Sequence, residues 1–119
     1  VVRPEDNGSV SPYLKNTIDW ISRLQRISPD EYRNPLQEKP MLLASAAAGA
    51  TGGILGLHAA RQIFNYLGCL VLPEQICVPR AQTMWDDQGE LADKQLADWT
   101  SHALNRFLTV LSLCEFAIA

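Results

Sequence analysis

Apolar residues fall into blocks along the chain, and each block has its own period. Val1 and Val2 read as the last rungs of a buried strand. Pro4, Glu5, Asp6, Asn7 and Gly8 follow as a tight loop, with Ser9 and Ser11 just ahead of a helical pattern. Leu14, Ile18, Ile21 and Leu24 then recur at spacings of three and four, which predicts an amphipathic helix. Ser11 is its expected N-cap, because a serine hydroxyl can accept a backbone N–H of the first turn. The helix is expected to fade near Arg26, since Ser28 precedes Pro29 and the residue before a proline avoids the helical region. Residues 28–39 are polar with two prolines and read as a surface connection, with one helical turn at 30–33.

Residues 41–46 form a short apolar run without polar alternation, the signature of a buried parallel strand. Gly49, Gly52 and Gly53, set among alanines, would let the backbone approach a flat, closely held neighbour. A helix is predicted over 53–67, with Leu57, Ala60, Ile63, Phe64 and Leu67 on its apolar face and Gly68 as its stop. A further strand is predicted over 69–72, broken by Pro73, with 75–78 as a continuation after a kink. A last helix should run from about Leu91, with Leu96, Trp99, Ala103, Phe107, Val110 and Cys114 as its stripe. Its final turns are apolar on nearly every side, as in a helix covered by neighbours or by another subunit. Strand end, helix, strand, helix, strand, helix is the alternation of an α/β protein with a parallel sheet.

Composition changes this picture little. A chain of 119 residues makes one domain. A net charge of −3 argues against a nucleic-acid partner, which wants a basic face. No apolar run is long enough to span a bilayer, so no membrane partner is expected. Cys69, Cys77 and Cys114 are odd in number and lack metal-type spacing, so free thiols in a reducing, cytoplasmic setting are expected. His58 and His102 have no second ligand at suitable spacing and read as helix-surface residues. Trp20, Trp85 and Trp99 read as core or interface residues, and Arg61 with Glu74 as a solvated pair or one across a subunit contact.

The run PEDNGSVSPYLKNTIDWISR resembles the loop and helix of the NAD(P)H-dependent FMN reductases, a flavodoxin-like family that includes quinone, azo-dye and chromate reductases. The matching positions are Pro4, Glu5, Asn7, Gly8 and Ser9, then Leu14, Lys15, Asn16, Ile18, Asp19 and Trp20. KPMLLASAAAGATGG and LHAARQIFNYLGCLVLPEQICVPRA resemble the segments that follow in that family. Two departures stand out. Asp6 occupies a position where the family usually has an aromatic residue, and Ala47 and Ala48 stand where it commonly has Ser and Pro.

The resemblance implies a flavodoxin-like three-layer sandwich over 1–119, present as its C-terminal half. The family's early strands and its Ser- and Arg-rich phosphate loop have no counterpart in these residues. It implies FMN and NAD(P)H as cofactors, and hydride passing from nicotinamide to flavin to a small-molecule electron acceptor such as a quinone. The implied cofactor-binding residues are Pro4, Glu5, Asp6, Asn7, Gly8 and Ser9 along one flavin edge. Ala47, Ala48, Gly49 and Gly52 would cover the pyrimidine side. No side chain is required as a general base and no metal is expected, because the hydride chemistry belongs to the cofactor. Homodimers or homotetramers are expected. The competing reading is a non-catalytic flavodoxin-like fragment serving as an oligomeric or interaction module. An electron carrier ranks below both.

Overall fold

A computed structural model describes residues 2–3, 5–31 and 33–118, the first two and the last three of these as backbone alone. The elements run β1 (Val2–Arg3), α1 (Pro12–Ile21), α2 (Leu24–Ile27), β2 (Pro40–Ala46), α3 (Ile54–Tyr66), β3 (Leu70–Val78) and α4 (Lys94–Ile118). The three strands form one sheet in the order β1-β2-β3, and both pairings are parallel. Val1 and Pro4 lie outside the described residues, so the strand expected to end there is seen as Val2–Arg3.

Alternation along β2 builds the layers. Leu43 and the half-buried Met41 join Leu14, Ile18, Leu57, Ala60 and Phe64, so α1 and α3 cover one face. Leu42, with Ala44 and Ala46, joins Ile76, Val78, Met84, Ala103 and Phe107, so α4 covers the other. The period of two in a strand produces this division directly. The result is a three-layer arrangement with helices on both faces of a parallel sheet, as the flavodoxin-like resemblance implies.

Helix α1 begins where its sequence says. Ser11 is buried and extended, and its hydroxyl accepts the Leu14 N–H at 3.2 Å. The helix stops at Ile21, earlier than expected. Ser22 donates its hydroxyl to the Asp19 carbonyl at 3.0 Å, and the Arg23 N–H turns back to Trp20 instead of Asp19. A local serine bond competes with the helical ladder, so the periodic pattern resumes only as the single turn of α2. The connection after it forms turns, with no helix over 30–33 among the described residues. It is tied to the end of α3 by Asn34, which donates to the Leu67 carbonyl, and by Glu38, whose N–H donates to Gly68.

Strand β3 also departs from expectation. It runs unbroken from Leu70 to Val78, and Pro73 is accommodated by a bulge. Met41 pairs with Val71 and Leu43 with Gln75, so Leu72, Pro73 and Glu74 together oppose one residue of β2. A bulge is where a strand tolerates proline's missing N–H. Arg61 reaches from α3 into this irregularity, donating to the Leu72 carbonyl at 2.6 Å and to Gln75 at 3.3 Å. The expected Arg61–Glu74 pair is therefore replaced. Glu74 instead faces Arg106 of α4 at 3.4 Å. Helix α4 starts three residues later than expected, because the Asp93 carboxylate accepts the Leu96 N–H and caps it. Leu91 belongs to a small bridge with Trp85.

Candidate functional site

Parallel strands place every strand-to-helix loop at the same end of the sheet. The loop after β1 (residues 5–9) and the loop after β2 (residues 47–53) therefore lie together at the carboxyl ends. This is where ligands bind in open α/β sheets.

The first loop is a two-residue hairpin turn. Asp6 and Ser9 exchange both backbone hydrogen bonds at 3.0 Å, and Asn7 and Gly8 both take positive φ, 50° and 75°. These are the requirements of a type I′ turn, for which Asn-Gly is the preferred central pair. The turn leaves the N–H groups of Asn7 and Gly8 without a protein acceptor among the described residues. Asp6, Asn7 and Ser9 are exposed.

The second loop is built on small residues. Ala47 donates to the Val78 carbonyl, while the Ala47 and Gly49 carbonyls accept from Ala81 and Arg80. The loop is thus stitched to the end of β3. Ala48, Gly49, Ala50 and Thr51 are exposed, and their N–H groups have no protein acceptor among the described residues. No atom lies within 4 Å of where a Gly49 Cβ would stand. Gly52 and Gly53 are buried with φ of 62° and 84°. A Cβ on Gly52 would meet the backbone of Val78 and Pro79 at 3.0 Å. Its place in the structure is one of close packing below the loop, whereas Ala48 and Gly49 face outward.

Between the two loops lies a cluster in which Glu5 and Gly52 were expected from the sequence, while Ser45, Gly56 and Cys77 were missed. Glu5 Oε2 accepts the Gly56 N–H at 3.0 Å, across 51 residues of chain. The positive end of α3 is a favourable place for that carboxylate. Ser45, buried on β2, donates its hydroxyl to the Gly52 carbonyl at 2.5 Å. The half-buried Cys77 thiol lies against Ser45. Burial pushes its pKa up, the Ser45 hydrogen bond pulls it down, and the nearby Glu5 carboxylate pushes it up again. Gly53 and Gly56 make room for this: a Cβ on Gly53 would stand 2.7 Å from Ser45 Oγ, and one on Gly56 would crowd the Glu5 side chain at 3.3 Å. The available signal was Gly56 itself, a glycine in the first turn of a predicted helix, where alanine would be more stable by about 1 kcal/mol unless packing demands otherwise.

Of the sequence-predicted site residues, Glu5, Asp6, Asn7, Gly8, Ser9, Ala47, Ala48, Gly49 and Gly52 come together at this edge, and Pro4 lies outside the described residues. The donor set suits a flavin. A flat ring whose heteroatoms accept hydrogen bonds can meet unengaged N–H groups most closely at Gly8, Ala48, Gly49 and Ala50, where side chains are absent or end at Cβ. His58 and His102 are exposed, and His102 stacks on Trp99 with ring centroids 5.5 Å apart.

Comparison with known proteins gives the same direction. The chain is 35% identical over 109 residues to a quinone reductase of Escherichia coli, covering 90% of this chain and 54% of that protein. It is 37% identical over 95 residues to a quinone reductase of Pseudomonas putida, covering 78% and 47%. It is 35% identical over 91 residues to an NAD(P)H-dependent FMN reductase of Pseudomonas aeruginosa, covering 76% and 45%. The chain thus spans about half the length of the curated relatives it matches. The family model for NADPH-dependent FMN reductase matches residues 1–83, which include both loops, and the chain belongs to that family, whose cofactors are FMN and NAD(P)H.

Proposed function

We propose that this chain supplies the carboxyl-edge wall of an FMN site in an NAD(P)H-dependent oxidoreductase whose electron acceptor is a small, quinone-like molecule. The observation that carries the reading is the adjacency of two largely exposed loops whose N–H groups, at Asn7–Gly8 and at residues 48–51, have no protein acceptor among the described residues. When bound, FMN supplies the hydride chemistry, and the protein supplies placement and electrostatics. Asn7 and Gly8 would donate to one edge of the ring and residues 48–51 to the other. Donors fixed in advance favour the additional negative charge of a reduced flavin. Asp6 acts in the opposite sense, because an exposed carboxylate at this rim opposes negative charge beside it.

No helix among the described residues is long and apolar enough to cross a membrane, and a cytoplasmic enzyme is the reading adopted. Leu104 and Leu108, one turn apart on α4, are exposed at 46% and 59%. These support a homodimer or homotetramer, as exposed apolar patches mark contact surfaces. They also favour the second reading, a non-catalytic interaction module. A visible spectrum of protein recovered from gel filtration, followed by FMN titration, separates the two. Flavin absorbance that co-elutes, or saturable quenching of flavin fluorescence, supports the enzyme. A colourless protein that takes up no FMN leaves the interaction module.

A further inference from the structure

The two loops are linked by one side chain. Glu5 leaves β1, turns its carboxylate across the carboxyl edge of the sheet and accepts the Gly56 N–H on the first turn of α3 at 3.0 Å. The Ser9 carbonyl packs against the same glycine, where a Cβ would stand only 3.1 Å away. Gly8 lies against Leu55 in the same way, at 3.6 Å from its would-be Cβ to Leu55 Cδ1. Gly53 opens α3 in the left-handed region, with Ser45 holding Gly52 just before it. The first turn of α3 is therefore the shared abutment of the hairpin and the second loop. The hydrogen bond through Glu5 is the polar tie that joins them.

We propose that Glu5 is a positioning residue: its carboxylate locks the 6–9 hairpin onto the first turn of α3 and so fixes the separation of the two sets of free N–H groups. In its relation to the flavin the proposal rests on the function proposed above, while the coupling of the loops stands on geometry alone. The side chain acts from behind the loops and touches no reacting group. By filling the N-terminus of α3 with a carboxylate of the chain itself, it also occupies a place where a ligand phosphate would otherwise be favoured.

The test uses the full chain and three variants, Glu5→Gln, Glu5→Ala and Glu5→Asp. Glutamine keeps the reach and an accepting oxygen but removes the charge. Alanine removes the tie. Aspartate keeps the charge on a stem too short to make the same bond. Hydrogen–deuterium exchange resolved by segment is read first. In Glu5→Ala, exchange of the hydrogen-bonded amides of the hairpin, Asp6 and Ser9, and of Ala47 and Gly56 should rise together by about tenfold, the loss expected for one hydrogen bond to a charged group. Glu5→Asp should resemble Glu5→Ala, and Glu5→Gln should stay near the parent. Faster exchange confined to the start of α3, with the hairpin unchanged, overturns the proposal. So does a Glu5→Gln variant as exposed as Glu5→Ala. If Glu5→Ala does not fold, Glu5→Asp carries the same comparison. FMN titration is then added. An affinity about tenfold weaker in Glu5→Ala and restored in Glu5→Gln extends the positioning role to the flavin. A parent chain that binds no FMN refutes the flavin reading while the exchange result still decides the coupling.

Discussion

Gly53 and Gly49 stand four residues apart in the same small-residue loop, and the structure assigns them opposite sensitivities to a single methyl group. At Gly53, φ is 84°, and holding an alanine in the left-handed region costs about 1–2 kcal/mol. Its Cβ would also lie 2.7 Å from Ser45 Oγ and 3.0 Å from Ser45 Cβ. The Ser45 hydroxyl is engaged with the Gly52 carbonyl on a buried strand and cannot swing away freely. Overpacking of this kind costs a further 1–3 kcal/mol or so. Gly53→Ala should therefore lose about 2–5 kcal/mol. At Gly49, φ is not positive, and no atom lies within 4 Å of the would-be Cβ. Gly49→Ala should be neutral or gain up to about 1 kcal/mol by restricting the unfolded chain. Urea denaturation followed by circular dichroism measures both, with the midpoint shift multiplied by a shared slope. Ser45→Ala should recover part of the Gly53→Ala loss in a double-mutant cycle, because it removes the nearer of the two clashing atoms. Equal stabilities for the two alanine variants, or additive behaviour in the cycle, would refute the packing argument. The same pair bears on function: Gly49→Ala puts a methyl on the proposed flavin face and should weaken FMN binding without loss of stability.

Other consequences are accessible to the same measurements. Ser11→Ala removes the cap of α1 and should cost about 1 kcal/mol in urea. Phe64→Ala empties the centre of the α1/α3 face and should cost about 3–5 kcal/mol, enough to test whether the chain stays folded on its own. Asp6→Asn removes the carboxylate at the rim and should tighten FMN severalfold at low salt, with the gain shrinking as salt is added. The raised pKa of Cys77 means less thiolate at any given pH, so its alkylation at pH 8 should be slower than that of a free peptide thiol. The rate should go on climbing with pH past the usual thiol value near 8.5. A Cys77 that labels as fast as the peptide contradicts the burial argument.

Much of this protein is local and therefore legible in its sequence. Ser11 caps the helix that follows it because the needed acceptor and donor are three residues apart. Asn7-Gly8 makes a type I′ turn because the two residues themselves tolerate positive φ. The apolar run at 41–46 became a strand buried on both faces, and Gly68 ended α3 with a φ of 86°. The order of elements was enough for a parallel sheet, and a parallel sheet puts both small-residue loops at one edge.

The tertiary structure decided what depends on partners far apart in the chain. Pro73 reads locally as a strand breaker, and only the register against β2 and the reach of Arg61 turn it into a bulge inside a continuous β3. Glu74 could be assigned to Arg106 rather than Arg61 only once α4 had packed across the sheet. The tie from Glu5 to Gly56 spans 51 residues, and neither residue type announces the other. Sequence periodicity records which face of an element is apolar. It does not record which polar group on one element will satisfy a donor on another, because that is fixed only when the layers close and each buried N–H must find an acceptor.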